Sequence, residues 1–118
     1  MLRKLEASHD HIIGYSLAGE VTDAEYEQAA SELRDAITRF GNIRLLFRLT
    51  DLSLQSFFTA LDERFRFVQE HADDIERVAI VSDDVATELL SRLGAGLGAI
   101  DVRHFDRDQE QEAWAWLE

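Results

Sequence analysis

The segment IRLLFRL (Ile43–Leu49) is apolar at every position except Arg44 and Arg48. Successive side chains of a strand point to opposite faces of a sheet, so this pattern places apolar side chains on both faces. Strands covered on both faces are typical of central positions in parallel sheets. The segment therefore predicts a central parallel strand whose two arginines must pair or extend toward solvent.

A second apolar segment, Arg77–Val81, has the same character, and the chain between the two segments has the periodicity of a helix. This helix is expected to begin at Ser53 and to end near Ile75. A strand, a helix and a strand in this order predict a parallel pair joined by a crossover. The apolar positions of the predicted helix are Leu54, Phe57, Phe58, Leu61, Phe65, Val68 and Ala72.

The chain before these strands predicts a hairpin followed by a helix. Met1–Glu6 and Ile12–Ala18 have strand character and flank a polar turn, so we expect them to pair antiparallel. Thr22 and Glu25 have the spacing of a capping box, which begins a helix. That helix is expected to end at Gly41, because glycine readily adopts positive φ. Its expected buried stripe contains Tyr26, Ala29, Ala30, Leu33, Ile37 and Phe40.

The chain after these strands continues the alternation of helix and strand. Asp83 and Asp84 suit the positive start of a third helix, which is expected to end in the glycine-rich segment 94–99. Ile100–Phe105 predicts a last strand, and Asp108–Glu118 predicts a last short helix. Core residues are expected on both helices, namely Ala86, Leu89, Leu90 and Leu93 on the third and Trp114 and Leu117 on the last.

The predicted order of elements is ββαβαβαβα. Strands separated by helices of crossover length predict an α/β fold, with a mixed, mostly parallel sheet of about five strands and an antiparallel N-terminal hairpin. The chain has 118 residues, which is one domain of ordinary size, so residues 1–118 are expected to form a single domain.

Charge and composition exclude several classes of protein. The net charge of −12 opposes binding to phosphate backbones, so nucleic acid is not an expected partner. With no cysteine, the chain has no disulfide framework and no thiolate site. It also lacks an apolar run of bilayer length and a signal-peptide core, which predicts a cytoplasmic protein with peripheral membrane association left open.

The cations are strongly biased, because Lys4 is the only lysine beside eleven arginines. Arginine-rich, acidic chains occur in salt-adapted proteomes, which suggests the hypothesis of a halophilic source. The alternative is an ordinary acidic cytoplasmic protein.

The sequence shows no pattern typical of catalysis. His9-Asp10-His11 has two possible metal ligands, but further ligands at suitable spacing are missing, so a solvated turn is expected. The glycines at 94, 96 and 98 follow a helix and miss the dinucleotide spacing. No GxSxG motif is present, and no nucleophile stands at a suitable spacing from His71 or His104. No catalytic residue, metal or cofactor is therefore predicted.

The ordered combination of segments resembles the SpoIIAA-like family. The resemblance is carried by IRLLFRL (43–49) before an aromatic-rich helix, VAIVSD (78–83) and VRHFDRDQEQEAWAWL (102–117), and it covers essentially the whole chain. It implies the STAS fold, which is related in architecture to the CRAL-TRIO lipid-binding domains. It also implies a non-catalytic module.

The resemblance implies a regulatory site at the start of the second helix. STAS regulators of anti-sigma factors carry an Asp-Ser-Ser-Gly-Leu signature there, with a serine that accepts a phosphate. In this chain Asp51-Leu52-Ser53 preserves the approach, but Gln55-Ser56-Phe57-Phe58 replaces the rest of the signature. Ser53 and Ser56 are the candidate regulatory residues for a protein partner. The alternative for Ser53 is a helix N-cap, for which serine is a preferred residue.

The CRAL-TRIO relationship implies a different function, which is the first expectation for this chain. The predicted second and third helices would form an apolar surface that binds a lipid-like ligand or a membrane. The alternative is that their phenylalanines and leucines cover the sheet, as the apolar stripe of a helix normally does. On a helical wheel centred on Leu54, Phe67 is expected to face away from the sheet and to be exposed. A homodimer is also left open. The candidate contact residues are Phe57, Phe58, Phe65, Phe67, Leu89, Leu90, Leu93 and Leu97.

Overall fold

The computed structural model describes residues 1–50, 57, 59, 67–83 and 100–118. These residues form one five-stranded sheet whose spatial order follows the chain. The strands are β1 (Leu2–Lys4), β2 (Ile12–Ala18), β3 (Ile43–Thr50), β4 (Ile75–Val81) and β5 (Asp101–Phe105). The described α-helices are α1 (Asp23–Phe40), α2 (Phe67–Glu70) and α3 (Glu110–Leu117), and short 3-10 turns cover Ala72–Asp74 and Arg107–Gln109.

The pairing of the strands confirms the predicted mixed sheet. β1 and β2 are antiparallel, and β2, β3, β4 and β5 are mutually parallel. One row of paired residues crosses the parallel part from Tyr15 through Phe47 and Ile80 to His104. The expected strand at Met1–Glu6 is shorter in the structure, because a turn closed by the Ser8 amide and the Leu5 carbonyl (3.1 Å) begins at Leu5.

α1 begins and ends where the sequence predicts. The Thr22 hydroxyl accepts from the Glu25 amide (3.2 Å), and the Glu25 carboxylate accepts from the Thr22 amide (3.1 Å). Gly41 ends the helix at φ 87° and donates its amide to the Ile37 carbonyl (2.8 Å). Three members of the expected stripe are buried, Ala30 and Ile37 are half-buried, and Phe40 is 41% exposed.

Two cores lie on opposite faces of the sheet. The larger core packs α1 against the sheet and includes Tyr15, Leu33, Leu45, Phe47 and Ile80. The smaller core lies under α3 and includes Ile12, Leu46, Ala79, Val81, Phe105, Ala113 and Leu117. The sheet is therefore covered on both faces, as its continuously apolar central strands predict.

Arginines from the central strands hold α3 at both of its ends. Arg48 forms two bonds with the Glu110 carboxylate in the first turn, at 2.5 and 2.6 Å. Arg44 donates to the carbonyl of Leu117 and Arg77 to that of Trp116, each at 2.6 Å. Negative charge near the start of a helix and positive charge near its end both favour the helix dipole. Both β3 arginines are thus paired, which is one of the two alternatives that the sequence left open.

Candidate functional site

The carboxyl ends of the parallel strands lie along one edge of the sheet, which we call the carboxyl edge. It is defined by Thr50 at the end of β3, Ser82 and Asp83 after β4, and Asp106–Asp108 after β5. Open α/β sheets bind their ligands at this edge. The sequence-predicted regulatory serines, Ser53 and Ser56, follow Thr50 by three and six positions in the sequence.

Arg107 connects three strands across this edge. Its Nη2 atom lies 3.2 Å from the Thr50 hydroxyl, and its Nη1 atom lies 3.4 Å from an oxygen of Asp83. The Arg107 side chain is 50% exposed and the Asp83 side chain 68% exposed. The guanidinium therefore contacts the ends of two neighbouring strands and still offers donors to an incoming group.

The ends of β4 and β5 are also tied together below the surface. The Ser82 amide donates to the Phe105 carbonyl, and Nε2 of His104 lies within bonding distance of the Ser82 carbonyl, both at 3.1 Å. Ser82 is buried at this position. After β5, Asp106 and Gln109 form a capping box that starts the turn leading to α3. The backbone under the exposed charges is therefore held by many contacts, which gives the edge a fixed shape.

An open cleft of about 450 Å³ lies between Asp83, Asp106, Arg107 and Asp108. Among the residues that the structure describes around this cleft, three carboxylates and one guanidinium line it, so their combined charge is negative. Such a surface favours basic groups and hydrogen-bond donors of a partner. Arg107 can also donate hydrogen bonds to one carboxylate or phosphate. The arrangement is suited to recognition by charge and hydrogen bonding.

Sequence reasoning missed Arg107, although a usable signal was present. The residue follows the last predicted strand within Phe105-Asp106-Arg107-Asp108, where the sequence surrounds one cation with acids. In a parallel sheet, a charged residue directly after a strand lies at the carboxyl edge. The contact with Thr50 could not have been found in this way, because it depends on the order of the strands in the sheet.

The structure overturns the expectation that Phe67 is exposed. Phe67 is 4% exposed, belongs to the core on the α1 face and stacks on the His71 ring at 4.2 Å. Phe57 is 1% exposed and packs against Phe47 at 5.2 Å. At 100° per residue Phe57 and Phe67 differ by only about 80° on a helical wheel, so one apolar stripe can include both.

The other candidate contact and regulatory residues lie outside the described part of the chain. They are Phe58, Phe65, Leu89, Leu90, Leu93, Leu97, Ser53 and Ser56. The two described members of the proposed lipid-contact set, Phe57 and Phe67, are both core residues.

The histidine-containing turn joins β1 and β2. Asp10 adopts φ 51°, and His9 lies 3.3 Å from the Glu118 carboxylate. His9 and Asp10 are exposed, and His11 is half-buried. Within residues 1–50, 57, 59, 67–83 and 100–118, no three histidine, aspartate or glutamate side chains form a group that could hold a metal ion.

A second cleft, of about 410 Å³, lies between this turn and α1. Lys4, Asp10, Asp35 and Arg39 are among its lining residues, so charges of both signs face it. Deeper in the fold, the Tyr15 hydroxyl donates to Glu32 at 3.2 Å. Burial raises the pKa of the Tyr15 phenol far above its usual value, and the neighbouring Glu32 charge raises it further. Tyr15 therefore acts here as a neutral hydrogen-bond donor.

Comparison with known proteins identifies one family. A family model described as SpoIIAA-like matches residues 12–118. No curated protein and no solved structure matches the chain. Among the helices that the structure describes, none has both the length and the apolar character needed to cross a bilayer.

Proposed function

Since the chain belongs to the SpoIIAA-like family, we propose that it is a non-catalytic, STAS-type regulatory module that binds a protein partner through the carboxyl edge of its sheet. STAS-type modules commonly interact with protein partners, and members of the family are generally non-catalytic. The proposal takes up the second of the two functions considered from the sequence and gives the interaction a defined surface.

The contacts of Arg107 carry this proposal. They join Thr50 at the end of β3 to Asp83, the second residue after β4, at distances of 3.2 and 3.4 Å, and so present a set of exposed charges. A rigid surface loses little conformational entropy on binding, which favours recognition of a partner without rearrangement. The cleft beside Arg107 is acidic, so the expected partner presents basic side chains to Asp83, Asp106 and Asp108.

Regulation of this contact by phosphorylation forms part of the proposal. Ser53 follows Thr50 by three positions in the sequence, and Thr50 accepts a hydrogen bond from Arg107. A phosphate adds negative charge and three acceptor oxygens, which a nearby arginine can bind. Phosphate on Ser53 or Ser56 would then compete with the partner for the cation at the edge. The alternative is that Ser53 acts only as a helix N-cap.

Lipid binding by the predicted second and third helices stays a separate proposal. This proposal is based on the apolar contact residues predicted from the sequence, of which Phe57 and Phe67 are buried in the core. An apolar ligand would therefore have to contact other members of that set. Native mass spectrometry of the freshly purified protein tests this directly, because a retained lipid adds a defined mass to the 13.5 kDa chain.

Site-specific photo-cross-linking in the source cell tests the interaction surface. A photoreactive phenylalanine analogue at Asp108 samples the carboxyl edge, and the same analogue at Asp73 samples the start of β4 at the opposite edge. Both positions are exposed aspartates, so each replacement removes the same charge. We expect a discrete protein adduct from position 108 and none from position 73.

Charge variants add a second comparison. Arg107→Ala should reduce the adduct formed from position 108, whereas Arg34→Ala, on the exposed face of α1, should leave it unchanged. Adducts of equal yield from both edges would contradict the proposed surface. A lipid adduct in native spectra together with no protein adduct from position 108 would favour the lipid proposal instead.

A further inference from the structure

β5 is the outer strand of the described sheet, and its exposed residues carry opposite charges. Asp101 and Arg103 are both exposed and lie on the same face of the strand, two residues apart. Arg103 stacks over the rings of Phe105 and Trp116, at 5.8 and 5.7 Å from their centroids. These contacts hold the guanidinium close to the strand on the face that α3 covers.

The hydrogen bonds to β4 determine which backbone groups of β5 point outward. The Phe105 carbonyl accepts from the Ser82 amide, so the N–H and C=O groups of Phe105 face β4. Successive residues of a strand direct these groups to alternate sides. The groups of Arg103 and Asp101 therefore also face β4, and those of Val102 and His104 point away from the sheet.

A second copy of the chain can pair with this edge about a two-fold axis. In an antiparallel pair the outward residues must face one another, so the axis can pass through Val102, Arg103 or His104. An axis at Arg103 places two arginines opposite each other. An axis at His104 places Arg103 opposite Phe105 of the second copy. Only the axis at Val102 places Asp101 of each copy directly opposite Arg103 of the other.

We propose that two copies of this chain associate through β5, antiparallel and centred on Val102, to form one continuous ten-stranded sheet from two five-stranded ones. The Val102 pair and the two flanking pairs of Ile100 with His104 exchange backbone hydrogen bonds. The Asp101 and Arg103 side chains then occupy the close, non-hydrogen-bonded positions, where opposite charges stabilise an antiparallel pair. Edge charges also oppose pairing in other registers, so the same two residues select this register.

Charge reversal tests the pairing by sedimentation equilibrium over a range of protein concentrations. The measurements use at least about 0.2 M KCl, because each copy carries −12 and screening must reduce the long-range repulsion. We expect a concentration-dependent dimer for the wild-type protein. Arg103→Asp should raise the dissociation constant at least about tenfold, since both cross-strand pairs become repulsive. The double variant D101R/R103D should recover a constant close to that of the wild type.

Asp101→Arg is harder to interpret than Arg103→Asp, because residue 101 lies beside Arg77 of β4 in the sheet and the new arginine would repel it. Thermal midpoints of all variants separate an effect on folding from an effect on pairing. Glu112→Arg, an exposed reversal on α3, controls for the change in net charge and should leave the dimer intact. A wild-type protein that stays monomeric, or a folded double variant that does not recover the dimer, overturns the proposal.

Amide hydrogen exchange on the wild-type protein provides an independent readout that needs no variant. The outward amides of Val102 and His104 should become protected as the protein concentration rises. The amides of Arg103 and Phe105 face β4 and should exchange at the same rate throughout. Protection that does not depend on concentration at Val102 and His104 overturns the proposal even if a dimer is present.

Discussion

The indole ring of Trp114 occupies the space that a side chain would take at Gly14. A Cβ atom built on Gly14 would lie 2.5 Å from Cη2 and 2.8 Å from Cζ2 of Trp114. Real carbon contacts do not approach so closely, so β2 must carry glycine where α3 crosses it. The relationship couples one residue of the N-terminal hairpin to the last helix of the chain.

We expect Gly14→Ala to destabilise the protein by about 1–3 kcal/mol, the usual cost of overpacking. Chemical denaturation gives the free energy of unfolding. In a Trp114→Ala background the same substitution should cost much less, because the ring that blocks the methyl group is gone. Ser16→Ala, on the same face of β2, serves as the control and should change stability by under about 0.5 kcal/mol. If the stability losses of Gly14→Ala and Trp114→Ala simply add, the Trp114 ring is not the reason that β2 carries glycine at position 14.

Truncation of Phe67 should be as costly as truncation of any core aromatic. We expect Phe67→Ala to lower the free energy of unfolding by about 3–5 kcal/mol, because the side chain is 4% exposed within the core. Phe40 is 41% exposed, and we expect Phe40→Ala to cost under about 1 kcal/mol. Denaturant titration of the two variants makes the comparison. If both variants lost equally little free energy of unfolding, Phe67 would be exposed, as the helical wheel predicted.

The pair formed by Glu110 and Arg48 should make stability depend on pH. The hydrogen bonds from Arg48 hold the pKa of the Glu110 carboxyl below its usual value, and the Arg48 charge lowers it further. A carboxyl group whose pKa is lowered by folding stabilises the folded state at pH values above its unfolded pKa of about 4.3. This stability is lost as the pH falls through the pKa of the folded state. We expect Glu110→Gln to cost about 1–2 kcal/mol at pH 7, after allowance for partial solvent screening.

The difference between the wild-type protein and Glu110→Gln should shrink as the pH falls below about 4. Unfolding titrations at several pH values measure it. Glu112→Gln is the matched control, because Glu112 is exposed in the same helix turn. A difference at pH 7 that persisted unchanged into strong acid would contradict the assignment of the stability to the ion pair.

The net charge of −12 should make stability rise with salt. Repulsion among exposed carboxylates is screened as the Debye length falls to about 3 Å near 1 M salt. We expect a higher thermal midpoint in molar KCl than in dilute buffer. The hypothesis of a halophilic source depends on this result, and midpoints that coincide in the two buffers would remove its basis.

Local rules predicted α1, the strands and the last helix of the described part of the chain, because each of these elements carries its own signals. The Thr22 and Glu25 capping box and the turn at Gly41 define α1 within a few residues, and both are confirmed. The alternating residues of Ile12–Ala18 predicted β2 with its observed bounds. The continuous apolar runs of β3 and β4 predicted a parallel sheet, since both of their faces are buried.

Contacts between distant elements could not be predicted in this way. The burial of Phe67 depends on where the helical stripe is centred, and a wheel has no independent reference for that choice. The contact of Arg107 with Thr50 joins residues 57 positions apart and requires knowledge of the strand order. Trp116 was not singled out from the sequence either, because its contacts with Arg77 and Arg103 depend on how the sheet places β4 and β5 beside α3.

The position of α3 in the chain has a consequence for biosynthesis. Ile12, Leu46, Ala79 and Val81 are all translated before the helix that covers them. This apolar face therefore stays uncovered until α3 has been synthesised and released from the ribosome. A chain interrupted before Asp106 would keep this face exposed, which makes it a target for chaperones and proteases and prone to aggregation. α3 therefore decides whether this apolar face is hidden or open to other proteins.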